Sequence, residues 1–198
     1  MQHKNKQKNK TQGSPSGKLR IVAGKWRGRF LPVADLPGLR PTSERIRETL
    51  FNWLAPTMEG SRCLDLFAGT GALGIEALSR GAASVEFVEN SKVAAKALLG
   101  SVQVLKAENA IVHEIDAMVF LGTPPRAPFD TVFLDPPFGT ANYAELCRLL
   151  AGHGWLAKGA RIYLEQDSRQ QLPNLPESWE LQKEKVAGNV RYSLITSE

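Results

Sequence analysis

Two short stretches of the chain combine acidic side chains with backbone turns and could together form a ligand site. Residues 64–74 read Leu-Asp-Leu-Phe-Ala-Gly-Thr-Gly-Ala-Leu-Gly, and residues 129–138 read Phe-Asp-Thr-Val-Phe-Leu-Asp-Pro-Pro-Phe. Each is an apolar run that ends in an acid and a turn, which is how a buried parallel strand delivers a loop to the carboxyl edge of an open α/β sheet. Because ligands of such sheets bind at that edge, we expect both loops to contribute to one site.

The first loop is expected to hold a cationic nucleoside ligand. Gly69, Gly71 and Gly74 form a Gly-x-Gly-x-x-Gly pattern around the start of a predicted helix over residues 72–80, whose first N–H groups would face a ligand. No Lys-Ser or Lys-Thr follows the glycines, which excludes a P-loop, but the pattern leaves a dinucleotide site open. Asp65, just before the loop, would repel a pyrophosphate and would suit a positively charged ligand that carries an amino acid. The combination favours S-adenosylmethionine over NAD.

Two further acids end predicted strands in the same way. Glu89 follows an apolar run over residues 85–88 and could bind ribose hydroxyls; the alternative is a solvated carboxylate at a strand end. Asp116 follows a run over residues 111–115 and could accept a hydrogen bond from an adenine amino group, cap the next helix, or do both. We assign cofactor binding to Asp65, Phe67, Ala68, Gly69, Thr70, Gly71, Glu89, Asn90, Asp116 and Ala117.

The second loop is rich in hydrogen-bond acceptors and suits an amine. Pro136 and Pro137 fix a rigid turn and lack N–H donors, so carbonyl and carboxylate oxygens dominate there. The Asp135 carboxylate and the Pro136 carbonyl could each accept one amine hydrogen, and Phe138 could stack on the ring that carries the amine. Holding both hydrogens would aim the nitrogen lone pair for an in-line displacement. The alternative is a plain Pro-rich turn with Phe138 in the core; we assign Asp135, Pro136, Pro137 and Phe138 to catalysis.

The two loops resemble those of Rossmann-like class I methyltransferases that act on exocyclic amines, and two further blocks narrow the resemblance to the RsmD family. Residues 22–29 (Val-Ala-Gly-Lys-Trp-Arg-Gly-Arg) and 39–54 (Leu-Arg-Pro-Thr-Ser-Glu-Arg-Ile-Arg-Glu-Thr-Leu-Phe-Asn-Trp-Leu) carry it, with Ala23 and Ser43 as small departures. The resemblance extends from about residue 20 to residue 193. It implies a bacterial 16S rRNA guanine-N2 methyltransferase that uses S-adenosylmethionine, in which the 39–54 block covers the cofactor and lines the substrate cleft.

Positive charge is concentrated at the start of this 198-residue chain, whose formal net charge is +5. Residues 1–54 hold twelve Lys and Arg against three Asp and Glu, a distribution typical of an arm that binds a polyanion. Residues 1–17 are expected to be a disordered basic tail, where the charge could serve solubility alone. Trp26 could instead pack on the domain, and the arginines of the 39–54 block could be solvated or could help to close the site. We assign RNA contacts to Lys25, Trp26, Arg27, Arg29, Arg40, Arg45 and Arg47.

Composition argues against several other classes of protein. No apolar stretch approaches membrane-spanning length and the first residues lack the hydrophobic segment of a signal peptide, so we expect a cytoplasmic protein with no membrane partner. Cys63 and Cys147 show no Cys-x-x-Cys spacing and the three His are scattered, so neither a disulfide framework nor a metal site is indicated. The length allows one full core, and a monomer is the default expectation.

The apolar pattern along the chain predicts an α/β fold of the doubly wound class I methyltransferase type. Residues 18–54 predict an N-terminal extension made of a short β-hairpin and a helix that begins near residue 41. Residues 55–198 predict the S-adenosylmethionine-dependent methyltransferase domain, with a seven-stranded, mostly parallel sheet and an antiparallel C-terminal strand. Its strands are predicted at residues 60–67, 84–89, 111–115, 129–134, 160–165, 179–186 and 190–195.

Three functions remain open from the sequence. The first is methylation of a guanine N2 amine in 16S rRNA, within the small subunit or an assembly intermediate, with the base unstacked to reach the second loop. The second changes the acceptor to adenine N6 of DNA or glutamine N5 of a protein, although the basic arm argues against a purely protein substrate. The third is a non-catalytic RNA-binding or assembly protein, against which Asp65, Glu89 and Asp135 argue. The sequence identifies neither the target nucleotide nor the form of the RNA.

Overall fold

A nine-stranded α/β arrangement is seen in the computed structural model, which describes residues 17–39, 41–137, 139 and 142–198. The strands are β1 (Gly17–Arg20), β2 (Phe30–Val33), β3 (Arg62–Asp65), β4 (Ser84–Glu89), β5 (Ala110–Glu114), β6 (Phe129–Leu134), β7 (Leu156–Asp167), β8 (Trp179–Ala187) and β9 (Val190–Ser197). The helices are α1 (Glu44–Met58), α2 (Ala72–Ser79), α3 (Lys92–Leu105), α4 (Ala117–Leu121) and α5 (Tyr143–Gly152). Within these residues, we find no helix with the length and apolar character needed to cross a bilayer.

The main sheet has the strand order β5-β4-β3-β6-β7-β9-β8, while β1 and β2 pair only with each other. Of the main-sheet strands so described, β9 alone runs antiparallel to the others. Strand β3 pairs in parallel with both β4 and β6, so the chain winds outward in both directions from the β3–β6 pair. The predicted seven-stranded, mostly parallel sheet with an antiparallel C-terminal strand is confirmed. Its topology places a switch point, where ligands of such sheets bind, at the carboxyl ends of β3 and β6.

Apolar side chains cover both faces of this sheet. On one face, α1, α2 and α3 pack against residues such as Phe87 and Phe133. On the other, α4 and α5 pack against residues such as Val132 and Leu164. Leu19 of the hairpin is buried in the same cluster as Phe133, so the N-terminal extension shares the core of the sheet.

The turn of the N-terminal hairpin lies directly against the end of α2. Gly24 has φ +79°, and a Cβ there would lie 1.7 Å from the Ser79 carbonyl oxygen, so only glycine fits this approach. The Lys25 N–H donates to the Ser79 carbonyl at 2.6 Å, and the Trp26 N–H donates to Ser79 Oγ at 3.0 Å. The turn is therefore anchored at the end of α2 that is remote from the glycine loop.

Two elements extend four residues or more beyond their predicted bounds. Helix α1 begins after Ser43, whose Oγ accepts from the Ile46 N–H at 3.3 Å, and continues to Met58 instead of ending at residue 54. Strand β7 covers residues 156–167 instead of 160–165, because it pairs with β6 on one side and with β9 on the other. Tertiary pairing extends both elements beyond their local sequence pattern.

Candidate active site

Five neighbouring strands each deliver an acidic residue to the carboxyl edge of the sheet. In spatial order these are Asp116 after β5, Glu89 in β4, Asp65 in β3, Asp135 after β6 and Glu165 in β7. All five line one cavity of about 1460 Å³. The cavity lies at the switch point between β3 and β6, as expected for a ligand site in a doubly wound sheet.

The glycine loop uses its own N–H groups inside the protein. The Gly69 N–H donates to Glu89 Oε2 at 2.8 Å, and the Gly74 N–H donates to Asp65 Oδ2 at 2.9 Å. The Gly71 N–H donates to a carbonyl of the same loop at 2.6 Å. The Gly74 amide, in the first turn of α2, therefore does not face a ligand as the sequence suggested. A loop whose glycine amides are held in this way suits a cationic ligand better than a pyrophosphate.

Asp65 is the most enclosed acid near this loop, with 2% of its surface exposed. Burial raises the pKa of Asp65 to about 7; the Gly74 N–H opposes this shift, and Asp135 and Glu89 add to it. A positive charge placed beside Asp65 would favour its carboxylate form. The electrostatics of the loop therefore match a ligand with an ammonium or sulfonium group.

Asp135 is held by a residue of the N-terminal extension. Thr42 Oγ1 donates to Asp135 Oδ2 at 3.0 Å, across the gap between the extension and the end of β6. Burial raises the pKa of Asp135 to about 6, while the bond from Thr42 opposes this shift. At neutral pH the carboxyl is therefore mostly an ionised acceptor, oriented by a hydroxyl that the extension supplies.

Most residues assigned from the sequence lie together around the cavity. Nine of the ten residues assigned to the cofactor line it, and so do Asp135, Pro136 and Pro137. Gly71 does not; it caps α2 with φ +75°, and a Cβ there would lie 2.3 Å from Leu98 Cδ1. The predictions for Phe138 and Arg40, and for residues 1–16 of the tail, lie outside the described residues.

Arg47 is buried, and its assignment to RNA is wrong. Its side chain is 2% exposed, and Nη1 donates to Glu76 Oε2 at 3.0 Å. Its other donors bond to the Thr42 carbonyl at 3.1 Å and to a carbonyl of β1 at 2.8 Å. Glu76 is itself fully buried, and it also accepts from the N–H groups of Val22 and Ala23 at 2.9 Å each. Arg47 and Glu76 therefore join α1, α2 and the hairpin from inside.

The basic hairpin turn lies away from the cavity, and Trp26 packs inward. Trp26 is only 7% exposed, so its assignment as an RNA contact is also wrong. Lys25, Arg27 and Arg29 are exposed, but they belong to the hairpin turn, which is anchored at the end of α2 that is remote from the glycine loop. An eight-residue helix places that end about 12 Å from the glycine loop. Arg45 is exposed and lines the cavity, so it alone of the described basic residues assigned to RNA borders the site.

The cavity residues that the sequence did not assign include the polar residues Thr42 and Glu165 and an apolar cover over the glycine loop. Glu165 follows the rule that identified Glu89, because it lies near the end of a buried strand. The cover consists of residues 36–39. Its Leu39 packs so closely on the glycine loop that a Cβ added to Gly69 would lie 3.1 Å from Leu39 Cδ1. That contact joins segments thirty residues apart, and no local pattern predicts it.

The residues present fit S-adenosylmethionine. Asp65 and Glu89 offer carboxylates for the amino acid and ribose portions of such a ligand. Asp116 Oδ1 caps α4 by accepting from the N–H groups of Met118 and Val119 at 2.8 and 3.2 Å, and a carboxyl group has further acceptor positions for an adenine amine. The two roles considered for Asp116 are therefore compatible.

We expect Glu89→Gln to weaken binding of S-adenosylmethionine about 10- to 100-fold. Its two carboxylate oxygens accept from the N–H groups of Gly69 and Ser91 at 2.8 and 2.7 Å, whereas a carboxamide accepts through one oxygen only. The loss of one hydrogen bond to a charged group corresponds to about 1.5–3 kcal/mol. Isothermal titration calorimetry measures the change. Glu86→Gln on the same strand, which lies outside the cavity and bonds to His113, is the matched control and should bind normally.

Comparison with known proteins identifies the family. Residues 19–196 match the family model described as conserved hypothetical protein 95. The ribosomal RNA small subunit methyltransferase D of Escherichia coli strain K12 is 50% identical over 185 residues, which cover 93% of this chain and 93% of the relative. The protein of the same name from Haemophilus influenzae is 48% identical over 181 residues, covering 90% of this chain and 93% of the relative.

A solved structure gives the same result. The structure of Escherichia coli yhhF, described as a candidate methyltransferase, has a TM-score of 0.86 and 47% identity, and covers 92% of this chain and 99% of that chain. The family model spans residues 19–196, which include most of the hairpin, α1 and all of the main sheet except the last residue of β9. The chain therefore belongs to the RsmD family of S-adenosylmethionine-dependent methyltransferases.

Proposed function

We propose that this protein methylates the N2 amine of one guanine in the 16S rRNA of the small ribosomal subunit. The observation that carries the proposal is the position of Asp135 and Pro136, which line the same cavity as the acids of the glycine loop. The names of the relatives specify small-subunit rRNA, and the acceptor-rich turn at Asp135 and Pro136 supports an amine as the acceptor.

The side chains of this protein act by holding and aiming the acceptor. S-adenosylmethionine supplies an electrophilic methyl group. The Asp135 carboxylate accepts one hydrogen of the N2 amine, the Pro136 carbonyl accepts the other, and the nitrogen lone pair then points toward the cofactor side of the cavity. Asp135 also stabilises the positive charge that develops on the nitrogen. Stacking of Phe138 on the base belongs to the same proposal.

A cationic face near the hairpin supports binding of a polyanion. Lys25, Arg27 and Arg29 are exposed, and Phe30 beside them has 60% of its surface exposed. Exposed aromatic rings among cations are typical of surfaces that bind unpaired nucleotides. Because this face lies at the end of α2 that is remote from the glycine loop, we propose that it contacts RNA away from the target base. Arg45 would contact RNA at the cavity.

We further propose that a monomer acts in the cytoplasm on the small subunit or on an assembly intermediate. The target base must leave its stack to enter the cavity, and an exposed loop nucleotide of folded rRNA meets that requirement at least cost.

Transfer of a labelled methyl group tests the proposal directly. The protein is incubated with labelled S-adenosylmethionine and either small subunits or naked 16S rRNA from a strain that lacks the activity, and the modified nucleoside is identified after digestion. N2-methylguanosine at one site supports the proposal and shows which form of RNA is used. If neither RNA is labelled although the protein binds the cofactor, the proposal is wrong and DNA and protein acceptors are the next candidates.

A further inference from the structure

Asp135 has a second buried acid beside it. Strands β6 and β7 pair in parallel with Leu134 opposite Leu164, so Asp135 and Glu165 are the next residues along the two strands. Side chains alternate across a sheet. Since Leu134 and Leu164 pack on the α4–α5 face, Asp135 and Glu165 both lie on the α1 face. Both line the cavity.

Glu165 is held in a fixed position. It is 6% exposed, and its Oε2 accepts from the hydroxyl of Tyr163 at 2.5 Å. The Tyr143 hydroxyl of α5 donates to the Glu165 backbone carbonyl at 2.7 Å, and Tyr192 of β9 lies opposite Glu165 in the sheet. Burying an acid costs free energy, and the bond from Tyr163 offsets that cost only in part, because the pKa of Glu165 stays raised. The proposed methyl transfer itself uses no atom of Glu165.

We propose that Glu165 determines specificity for guanine by hydrogen bonding to O6 and N1–H of the base while Asp135 holds the N2 amine. This inference rests on the proposed function. The Watson–Crick edge of guanine presents the N2 amine, N1–H and O6 in a row. Two adjacent carboxyl groups match that row, because Asp135 accepts from N2–H and Glu165 accepts from N1–H and donates to O6.

The protonation states of the two acids fit these separate roles. Burial and the charge of Asp135 raise the pKa of Glu165 to about 8, whereas the pKa of Asp135 is raised by burial only to about 6. The other titratable groups around Glu165 are Tyr163, Tyr143 and Tyr192, and burial raises the pKa of Tyr163 and of Tyr143, so these two stay neutral at physiological pH. Near pH 7 two buried acids this close retain one proton between them, and we place it on Glu165, where the charge of Asp135 adds to burial in raising the pKa; Glu165 can then donate and accept. Acids whose pKa values are pushed apart commonly take different roles.

Comparison of Glu165→Gln with Glu165→Ala tests the inference. A carboxamide has the shape of the neutral acid and also offers one donor and one acceptor. We expect Glu165→Gln to keep kcat/KM within a few-fold of wild type at pH 7, and Glu165→Ala to lose about 10- to 100-fold, as for other lost buried hydrogen bonds to a substrate. Thermal unfolding and cofactor binding check that both variants fold.

The pH profile gives a readout that a purely structural role would not move. At saturating S-adenosylmethionine, which favours the ionised form of Asp65, the wild-type kcat/KM for RNA should rise as the Asp135–Glu165 pair loses its first proton near pH 6 and fall as it loses its second near pH 8. In Glu165→Gln the fall near pH 8 should disappear, and a fall that persists with the same midpoint would overturn the inference. Loss of activity in Glu165→Gln at every pH, with normal folding and cofactor binding, would overturn the inference.

A base analogue separates this inference from the proposed function. 2-Aminopurine keeps the amine at C2 but lacks O6 and N1–H. Wild type should prefer guanine over 2-aminopurine at the target position about 10- to 100-fold, and Glu165→Ala should lose most of that preference. If wild type methylates guanine but Glu165→Ala discriminates equally well, only the inference fails. If wild type methylates no guanine, the proposed function itself fails.

Discussion

Replacing Asp135 with alanine is expected to reduce methyl transfer about 100- to 1000-fold. Losses of about this size are typical when one group that orients the substrate or stabilises the transition state is removed. Of the acids in the described part of the 129–138 stretch, Asp135 lines the cavity and Asp130 does not. Affinity for S-adenosylmethionine should stay within a few-fold of wild type, because the acids assigned to the cofactor are unchanged. Single-turnover methylation and calorimetry with the same preparation measure the two quantities.

Thr42→Val is the matched control for Asp135→Ala. It removes the hydroxyl that donates to Asp135 Oδ2 at 3.0 Å but keeps the carboxyl. Because that bond opposes the rise in the pKa of Asp135, its removal should raise the pKa and move the acidic limb of the rate profile to higher pH. At high pH most of the activity should return. Equal losses for Thr42→Val and Asp135→Ala at every pH would contradict the role given to Asp135.

Arg47→Met is expected to destabilise the fold by about 3–5 kcal/mol, because it leaves Glu76 without its buried cationic partner. The two side chains are 2% and 0% exposed, and their atoms lie 3.0 Å apart. Arg80 bonds to the other Glu76 oxygen at 2.8 Å but is 17% exposed, so it compensates only in part. For a chain of this length, the change corresponds to a fall in the unfolding temperature of about 10 °C, measured by calorimetry.

Arg45→Met, two residues earlier on the same helix, has the opposite expected effects. Arg45 is exposed, so its replacement should change the free energy of unfolding by about 0.5 kcal/mol or less. It should weaken RNA binding instead, most clearly at low salt. Equal thermal destabilisation of the two variants would show that Arg47 does not stabilise the fold through its buried pair.

The acids at the carboxyl edge of the sheet could be predicted because each is indicated by the residues next to it in the sequence. Asp65, Glu89, Asp116 and Asp135 each follow an apolar run, and parallel strands bring their carboxyl ends to one edge. Glu165 obeys the same rule, since it ends the strand predicted at residues 160–165, but it was not assigned because it lies far along the chain from both loops.

The environment of Arg47 could not be predicted from its charge. Arg47 lies on the buried stripe of α1 with Phe51, Leu54 and Met58, at helical spacing that a stricter pattern reading would include. Glu76 is likewise surrounded by apolar residues in a helix that is buried throughout. A charge within an apolar stripe indicates a buried partner, but which partner it meets is decided by tertiary packing.

The bonds from Val22 and Ala23 to Glu76 connect residues more than fifty positions apart, and this has a consequence during translation. The hairpin is synthesised first, yet two of its amides have no acceptor until α2 has left the ribosome. We therefore expect the start of a nascent chain to stay unprotected until residue 76 emerges. Hydrogen exchange on stalled chains of increasing length measures this, and protection of residues 22 and 23 in a chain that ends before residue 76 would contradict it. The hairpin would then reach its final hydrogen bonding only after a segment that is synthesised later has left the ribosome.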